Sequence, residues 1–554
     1  MPVLYLNPER LISFIGDRGI ALEKLNEILF SLKSESSLTA DGLLEVEVNS
    51  DRPDLFISEG IARAVKGLIG YEKGLFQPRI QDSSYMLKVD EVPSRPFIAI
   101  GIVRGVELGE EGLKELIQFQ EKLHITIGRN RRKMAIGIHD LRKIPSQDLR
   151  YTMVTLEHEM FPLGIREKKK IREVLSGTPQ GRSYGEISLI GGAHPAIFSG
   201  DEIISLPPVI NSEITRIEPD TKDLLIDVTG IDEETVLKTL DLITSILNEK
   251  TGSIIERVHV LKPNGERRKD PLLNKIQLAL EKDYAEKVLG LKLDEKEIAD
   301  LLERMRLGVE KAEDFLFRVT VPEYRSDILH PVDLVEDIAM AYGYSRIVPM
   351  RPSFSTEGSL ERFSRISRIL RMYAVGLGFQ EVSGFVLTGD EANLFLRKGE
   401  RIMRIKNPVS ENMKFVRPTN IISLLLVLRE NQHVELPLKI FEIGENVVIG
   451  GSRILQRRTI ALAIMKDELS FEEIQAPIYS ILSNFSKDVV FRRDSIDYLL
   501  QGRTAKVSVE GIPVGILGEV HPQILTEMGI KYPVGVGELD LSSLSSLIER
   551  KKTA

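Results

Sequence analysis

Four carboxylates stand close together in the chain, Asp327, Asp333, Glu336 and Asp337. The spacings of three and four put the last three on one helix face, with Asp327 just upstream in a turn that can bring it near them. Hard oxygen ligands without His or Cys suit Mg²⁺ or Ca²⁺. A solvated acidic face fits the same residues, because a helix dipole favours acids in the first turn. A second cluster is basic: Arg129, Arg131, Arg132 and Lys133 precede an apolar run, Met134–Ile138. Cations beside a strand can hold a phosphate backbone without reading sequence, and a solvated basic loop fits equally well. His139 and Asp140 follow at once, but neighbours on a strand point to opposite faces, which argues against a dyad. Asp227 and Thr229, by contrast, alternate on one face of a strand, which lets both point inward.

The acidic block needs an element to hold it. Phe317–Val321 alternates as a strand, and Pro322, Tyr324 and Asp327 turn the chain. Pro331 suits a first helical position and Gly343 a C-terminal stop, which predicts a helix of about three turns. Upstream, Leu273–Lys311 reads as two helices, the second after Leu293 with Asp294 as N-cap and Glu297 three residues on. Near the N-terminus a helix is expected over Ile20–Leu32, a strand over Leu44–Val48 and a helix over Ile57–Ile69, with Asn49, Arg52, Pro53 and Asp54 as the turn between the last two. Short strands such as Phe97–Val106 and Leu224–Val228 mark the middle of the chain. A charged, aperiodic stretch near residues 262–270 reads as a boundary. In the last third, Arg362–Leu377 is amphipathic, and Gly378-Phe379 introduces a strand over Glu381–Leu387.

At 554 residues, 42% hydrophobic and 28% charged, the chain is expected to form three or four globular domains. No apolar run reaches the roughly 20 residues needed to span a bilayer, so no membrane partner is expected. The absence of Cys removes disulfides, thiolate metal sites and cysteine nucleophiles, and with no secretion signal in the first residues it makes the cytoplasm the expected location. A net charge of −8 argues against a protein that coats nucleic acid, leaving room for a local basic patch.

The run from Pro322 through Tyr324-Arg325, Asp327 and Asp333-Leu334-Val335-Glu336-Asp337 to Tyr342-Gly343-Tyr344 resembles the metal-binding module of the phenylalanyl-tRNA synthetase beta subunit family. Further blocks carry the resemblance along the chain: Asn49 to Asp54, Gly137–Ile144, Gly191–Pro195, Leu206–Ser212, Asp227–Asp232, Asn407-Pro408, Arg417-Pro418, Phe441–Gly444 and Gly518–Pro522. The lengths and blocks favour the shorter archaeal and eukaryotic kind.

The resemblance implies a multidomain α+β chain. Its expected parts are a small N-terminal α+β domain at 1–85, a mixed α/β editing and tRNA-binding domain at 86–265, a winged-helix-like magnesium module at 266–352, and a class II synthetase-like antiparallel domain without catalysis at 353–554. It also implies that Asp327, Asp333, Glu336 and Asp337 hold one structural Mg²⁺. The chain would pair with an alpha subunit in an alpha2-beta2 heterotetramer that binds ATP on the alpha subunit and attaches phenylalanine to its tRNA. Tyrosine wrongly attached would be hydrolysed in a pocket whose candidates are Asn211, Ser212, Asp227 and Thr229, with Arg129, Arg131, Arg132 and Lys133 meeting the RNA. Gly535-Val536-Gly537 is followed by Glu538 and no Arg, so an ATP site of its own is not expected. The alternative is a metal-stabilised tRNA-binding scaffold without hydrolysis, and a free-standing hydrolase is a third reading.

Overall fold

The alternation in Leu44–Val48 builds the middle strand of a three-stranded antiparallel sheet, in which Leu44–Glu47 lies between Val3–Leu6 and Glu35–Leu38. A computed structural model describes every residue except 17–19, 250–251, 352–355 and 554, with side chains described through residue 547. The chain divides into two units, Met1–Arg351 and Pro352–Ala554. In the first, the helices Pro8–Ile15, Leu22–Ser31 and Ser58–Leu68 cover the small sheet with Leu11, Ile15, Leu25, Leu29, Ile61 and Val65. The Asn49–Asp54 turn closes against the third helix. A Cβ at Gly60 would stand 1.6 Å from the Asp54 carbonyl oxygen, so only glycine lets turn and helix meet.

A ten-stranded mixed sheet follows, running from Ile80–Val89 to Arg267–Asp270, a few residues wider at each end than 86–265. Its strand Asp223–Gly230 lies antiparallel between Phe97–Arg104 and Met134–Asp140. Leu224, Ile226 and Val228 join the main core together with Val236, Leu240 and Ile243 of helix Glu233–Leu247, which turns Asp227 and Thr229 to the other face.

The stretch after Leu272 is a strand before it is helical. Ile276–Glu281 pairs antiparallel with Leu316–Val321, and the helices Lys282–Leu289 and Glu295–Arg304 come after it. Ile276, Leu278 and Leu280 carry the period of two that the following helix masks in the sequence. Asp294 caps the second of these helices by accepting from Glu297 N at 2.7 Å, and Pro331–Tyr342 forms the acidic helix, ending at Gly343 as its sequence predicts.

The second unit is a ten-stranded, mainly antiparallel sheet centred on Leu438–Gly450, Arg453–Met465, Val534–Asp540 and Ile512–Val520. Helix Ile421–Glu430 packs in one core, and helices Arg362–Gly376, Phe471–Ser483 and Leu541–Thr553 pack in another. The strand expected over Glu381–Leu387 is absent: Gln380–Glu381 and Leu387–Thr388 pair separately. Between them Gly384 passes so close to Ser423 that a Cβ would lie 2.6 Å from the Ser423 Cβ. Gly535 and Gly537 sit in a buried strand beneath Ile474 and Ile478, where a Cβ at Gly537 would reach the Ile478 Cδ1 at 2.8 Å. Helix packing therefore accounts for that glycine pair. Among the described residues no helix is long and apolar enough to cross a membrane.

Candidate active site

The unpaired edge of strand Met134–Asp140 forms the back of a cavity of about 610 Å³. An edge strand leaves backbone groups without sheet partners, and here side chains take them. Gln120 Nε2 donates to Ile136 O at 2.7 Å, Asn211 Nδ2 donates to Ile138 O at 3.2 Å, and Ile136 N donates to His124 Nε2 at 2.8 Å. Leu113, Ile117, Gln120 and Glu121 of helix Gly109–Ile125 form one wall, and Val209, Ile210, Asn211 and Ser212 another.

Asp227 is the buried acid of this cavity. It lies across Gly137, where a Cβ would come within 2.0 Å of Asp227 Oδ2 and 3.1 Å of Asn211 Oδ1. His139 Nε2 stands 2.9 Å from the same Oδ2, and His139 Nδ1 stands 2.7 Å from Thr215 Oγ1. The other acceptor of Thr215, the Ser212 carbonyl, is 3.5 Å away and too long for a strong bond. The Thr215 hydroxyl therefore donates to the ring, and the ring's Nε2–H donates to Asp227. His139 is fully buried, so the carboxylate is held in one orientation with an acceptor oxygen toward the cavity.

The basic loop divides between two surfaces. Arg129, Asn130 and Arg131 all have positive φ, at 48°, 55° and 64°. Buried Arg95 fixes this strained turn by donating to Arg131 O at 3.2 Å. Arg131 points inward: it donates to Glu121 Oε1 at 2.6 Å and to the carbonyls of Pro208 and Val209 at 3.2 and 3.1 Å, and it lies over the Tyr184 ring. Arg129, Arg132 and Lys133 line a separate open groove with Ile231 and Asp232. Burial alone would raise the Glu121 carboxyl, but the hydrogen bond from His124 and the Arg131 guanidinium bring it down to about 2. His124 is itself held below its usual range by burial.

Of the four proposed pocket residues, Asn211, Ser212 and Asp227 line the cavity. The Ser212 hydroxyl is engaged with Phe161 O and Ile214 N, which makes it a turn cap. Thr229 does not line the cavity; its hydroxyl accepts from Arg95 Nε at 2.8 Å. Gln120, Glu121, His139 and Thr215 were not singled out as site residues. The signal for the first two was polar residues inside an otherwise apolar helix stripe. Asp140 faces away, onto Arg142 and Thr221, as strand alternation requires.

The four carboxylates of the acidic block do not converge on one point: Asp327 and Asp337 share Arg325, while Asp333 and Glu336 turn to other partners. Buried Arg325 donates to both oxygens of Asp327, at 2.9 and 2.7 Å, and to Asp337 Oδ1 at 3.0 Å, so a guanidinium takes the place a cation would fill. Asp333 Oδ2 accepts from the amides of Leu329 and His330, both at 2.8 Å, and caps its own helix. Glu336 pairs with Lys33 at the surface, 3.2 Å away. Among the described residues no group of three or more His, Cys, Asp or Glu is arranged for a metal ion. Asp333→Asn should therefore cost about 1 kcal/mol by weakening the cap. The loss, read from thermal unfolding, should be the same with excess Mg²⁺ and with chelator.

Two family models meet the chain as consecutive parts of a tRNA synthetase subunit. Residues 278–344 match the tRNA synthetase B5 domain, and residues 347–541 match the phenylalanyl tRNA synthetase beta chain CLM domain. The phenylalanine–tRNA ligase beta subunit of Aeropyrum pernix is 42% identical over 551 residues, covering 99% of this chain and all of the relative. That of Saccharolobus solfataricus is 41% identical over 557 residues, covering both chains fully. An N-terminal fragment of the phenylalanyl-tRNA synthetase beta subunit from Pyrococcus horikoshii superposes with a TM-score of 0.59 at 34% identity, over 62% of this chain and all of the fragment. The chain belongs to the phenylalanine–tRNA ligase beta subunit family.

Proposed function

We propose that this chain, with an alpha subunit in an alpha2-beta2 assembly, forms a cytoplasmic phenylalanine–tRNA ligase, and that its own cavity clears tyrosine wrongly attached to the tRNA. ATP and the adenylate belong to the alpha subunit. The observation that carries the hydrolytic reading is Asp227, a buried acceptor at the back of a cavity with mixed polar and apolar walls, held by His139 and given room by Gly137. A tyrosine phenol can donate to that carboxylate beside His139; phenylalanine would leave this second hydrogen bond unmade in a buried site, which is the kind of mismatch that discriminates strongly.

An aminoacyl ester is already activated, so hydrolysis needs a positioned water and a fixed ester more than a covalent nucleophile. Glu121 stays ionised and Gln120 is anchored beside it, and the two can orient that water. Arg131 braces Glu121 and the Pro208-Val209 wall. Arg129, Arg132 and Lys133, outside the cavity, suit the phosphates of the acceptor end.

The test is deacylation by the co-expressed complex. Tyrosyl-tRNA should be cleared about 100-fold faster than phenylalanyl-tRNA, the discrimination a lost buried hydrogen bond supports. Equal rates for the two would leave the scaffold reading, as would a chain that runs alone on a sizing column while aminoacylation proceeds without it.

A further inference from the structure

Two motifs that the hydrolytic reading does not use, Arg52-Pro53-Asp54 and Tyr324-Arg325, meet in the interior of the first unit. With Arg63 and Arg306 they line a small cavity of about 10 Å³, room for the centre of one water-sized particle. All four arginines and Tyr324 are at most 5% exposed. Arg63 lies flat over the Tyr324 ring, 4.0 Å from its centroid.

Most of the polar atoms here are matched. Arg52 donates two hydrogen bonds to Asp54, from Nε at 2.8 Å and from Nη2 at 2.7 Å. Arg63 donates to Glu249 and to Ser245 O, each at 2.7 Å, and Arg325 is held by Asp327 and Asp337. Four donors are left over. Arg52 Nη1, Arg63 Nη1, Arg306 Nε and the Tyr324 hydroxyl meet no acceptor among the described residues. Buried donors are almost always satisfied, and four on the residues of one cavity call for a common acceptor.

We infer that this cavity binds one monatomic anion of chloride size, bridging the Asn49–Asp54 turn and helix Ser58–Leu68 to the segments at Met305-Arg306 and Tyr324-Arg325. A water accepts about two hydrogen bonds, so it would satisfy two of the four donors and leave the others unmatched, while Asp54, the one lining carboxylate, already takes two hydrogen bonds from Arg52. A spherical anion accepts from all four donors without donating any. Asp54 in the lining and Asp327, Asp337, Glu249 and Glu72 behind it already balance the charge of the four arginines, so the anion's contribution is to satisfy donors. Burial raises the Tyr324 hydroxyl above its usual range, which keeps it a donor.

The full chain would be melted in sodium chloride, sodium bromide and sodium gluconate at equal ionic strength. Chloride and bromide should raise the melting temperature over gluconate by about 2 °C or more, and the shift should grow with halide concentration, as for any ligand of the native state. Crystals grown in bromide should give an anomalous peak among Arg52, Arg63, Arg306 and Tyr324. Tyr324→Phe keeps the ring under Arg63 and removes one donor, so it should cut the halide-dependent shift by half or more while leaving melting in gluconate nearly unchanged. Identical melting in all three salts, or a bromide crystal with an ordered water only, overturns the site. Should Tyr324→Phe fail to fold, the anomalous map of the unaltered chain decides alone.

Discussion

Asp227→Ala is expected to slow hydrolysis of tyrosyl-tRNA by roughly 10- to 150-fold while leaving the slow hydrolysis of phenylalanyl-tRNA nearly unchanged. The size follows from losing one hydrogen bond to a charged, buried acceptor, about 1.5–3 kcal/mol. The effect should appear as lost selectivity, because only the substrate with a phenol uses the missing oxygen. Two neighbours separate positioning from general damage. The Gln side chain places an amide N–H where His139 Nε2–H now meets Asp227, so His139→Gln should retain most selectivity. The Asn side chain reaches only toward Thr215, so His139→Asn should lose selectivity to nearly the extent of Asp227→Ala. Gly137→Ala should act in the same direction, since its methyl would stand 2.0 Å from Asp227 Oδ2 and force the carboxylate aside. A normal rate of tyrosine clearance by Asp227→Ala, in complexes folded by circular dichroism, would remove Asp227 from the site.

The distance in sequence between partners decides how much of this was legible. Helix Pro331–Tyr342 was read to within a residue because Pro331 and Gly343 act locally. Asp227 was singled out from alternation alone, a property of one strand. Its partner, His139, is 88 residues away and meets it only through the register that sets Gly137 opposite Asp227. Reading along the chain tests His139 against adjacent Asp140 and finds the wrong face; the correct acid is on the next strand. The same limit explains the acidic block. Arg325 was part of the motif, yet nothing in the spacing says that its side chain reaches Asp337, 12 residues on. Residues of one charge at helical spacing read as a ligand set until the fold shows which cation is delivered to them. Thr229 failed for a different reason, because a shared strand face does not guarantee a shared cavity.

Arg325→Met is expected to destabilise the first unit by about 3–5 kcal/mol, the cost of leaving buried carboxylates without their counter-ion. Burial raises the Asp337 carboxyl despite the guanidinium, so this group already sits close to the limit of what the site tolerates ionised. Asp327 behaves oppositely: burial would raise it, but Arg325 brings it down to about 2. A depressed carboxyl contributes stability that is present above its unfolded value near 3.8 and is lost as pH falls toward 2. Removing Arg325 takes away that contribution and raises both carboxyls further, so the deficit of the variant should be largest near neutrality and shrink as pH falls toward 5. Asp337→Asn in the Arg325→Met background removes one of the stranded charges and should restore part of the loss, a coupling that additive damage would not give. Thermal unfolding of the four proteins at pH 7 and pH 5 measures both effects. If the same block held a divalent ion through its carboxylates, Arg325→Met would bring four acids into the site without their competitor and magnesium would rescue the variant. With Asp333 committed to the helix cap and Glu336 to Lys33, the expected rescue by magnesium is nil.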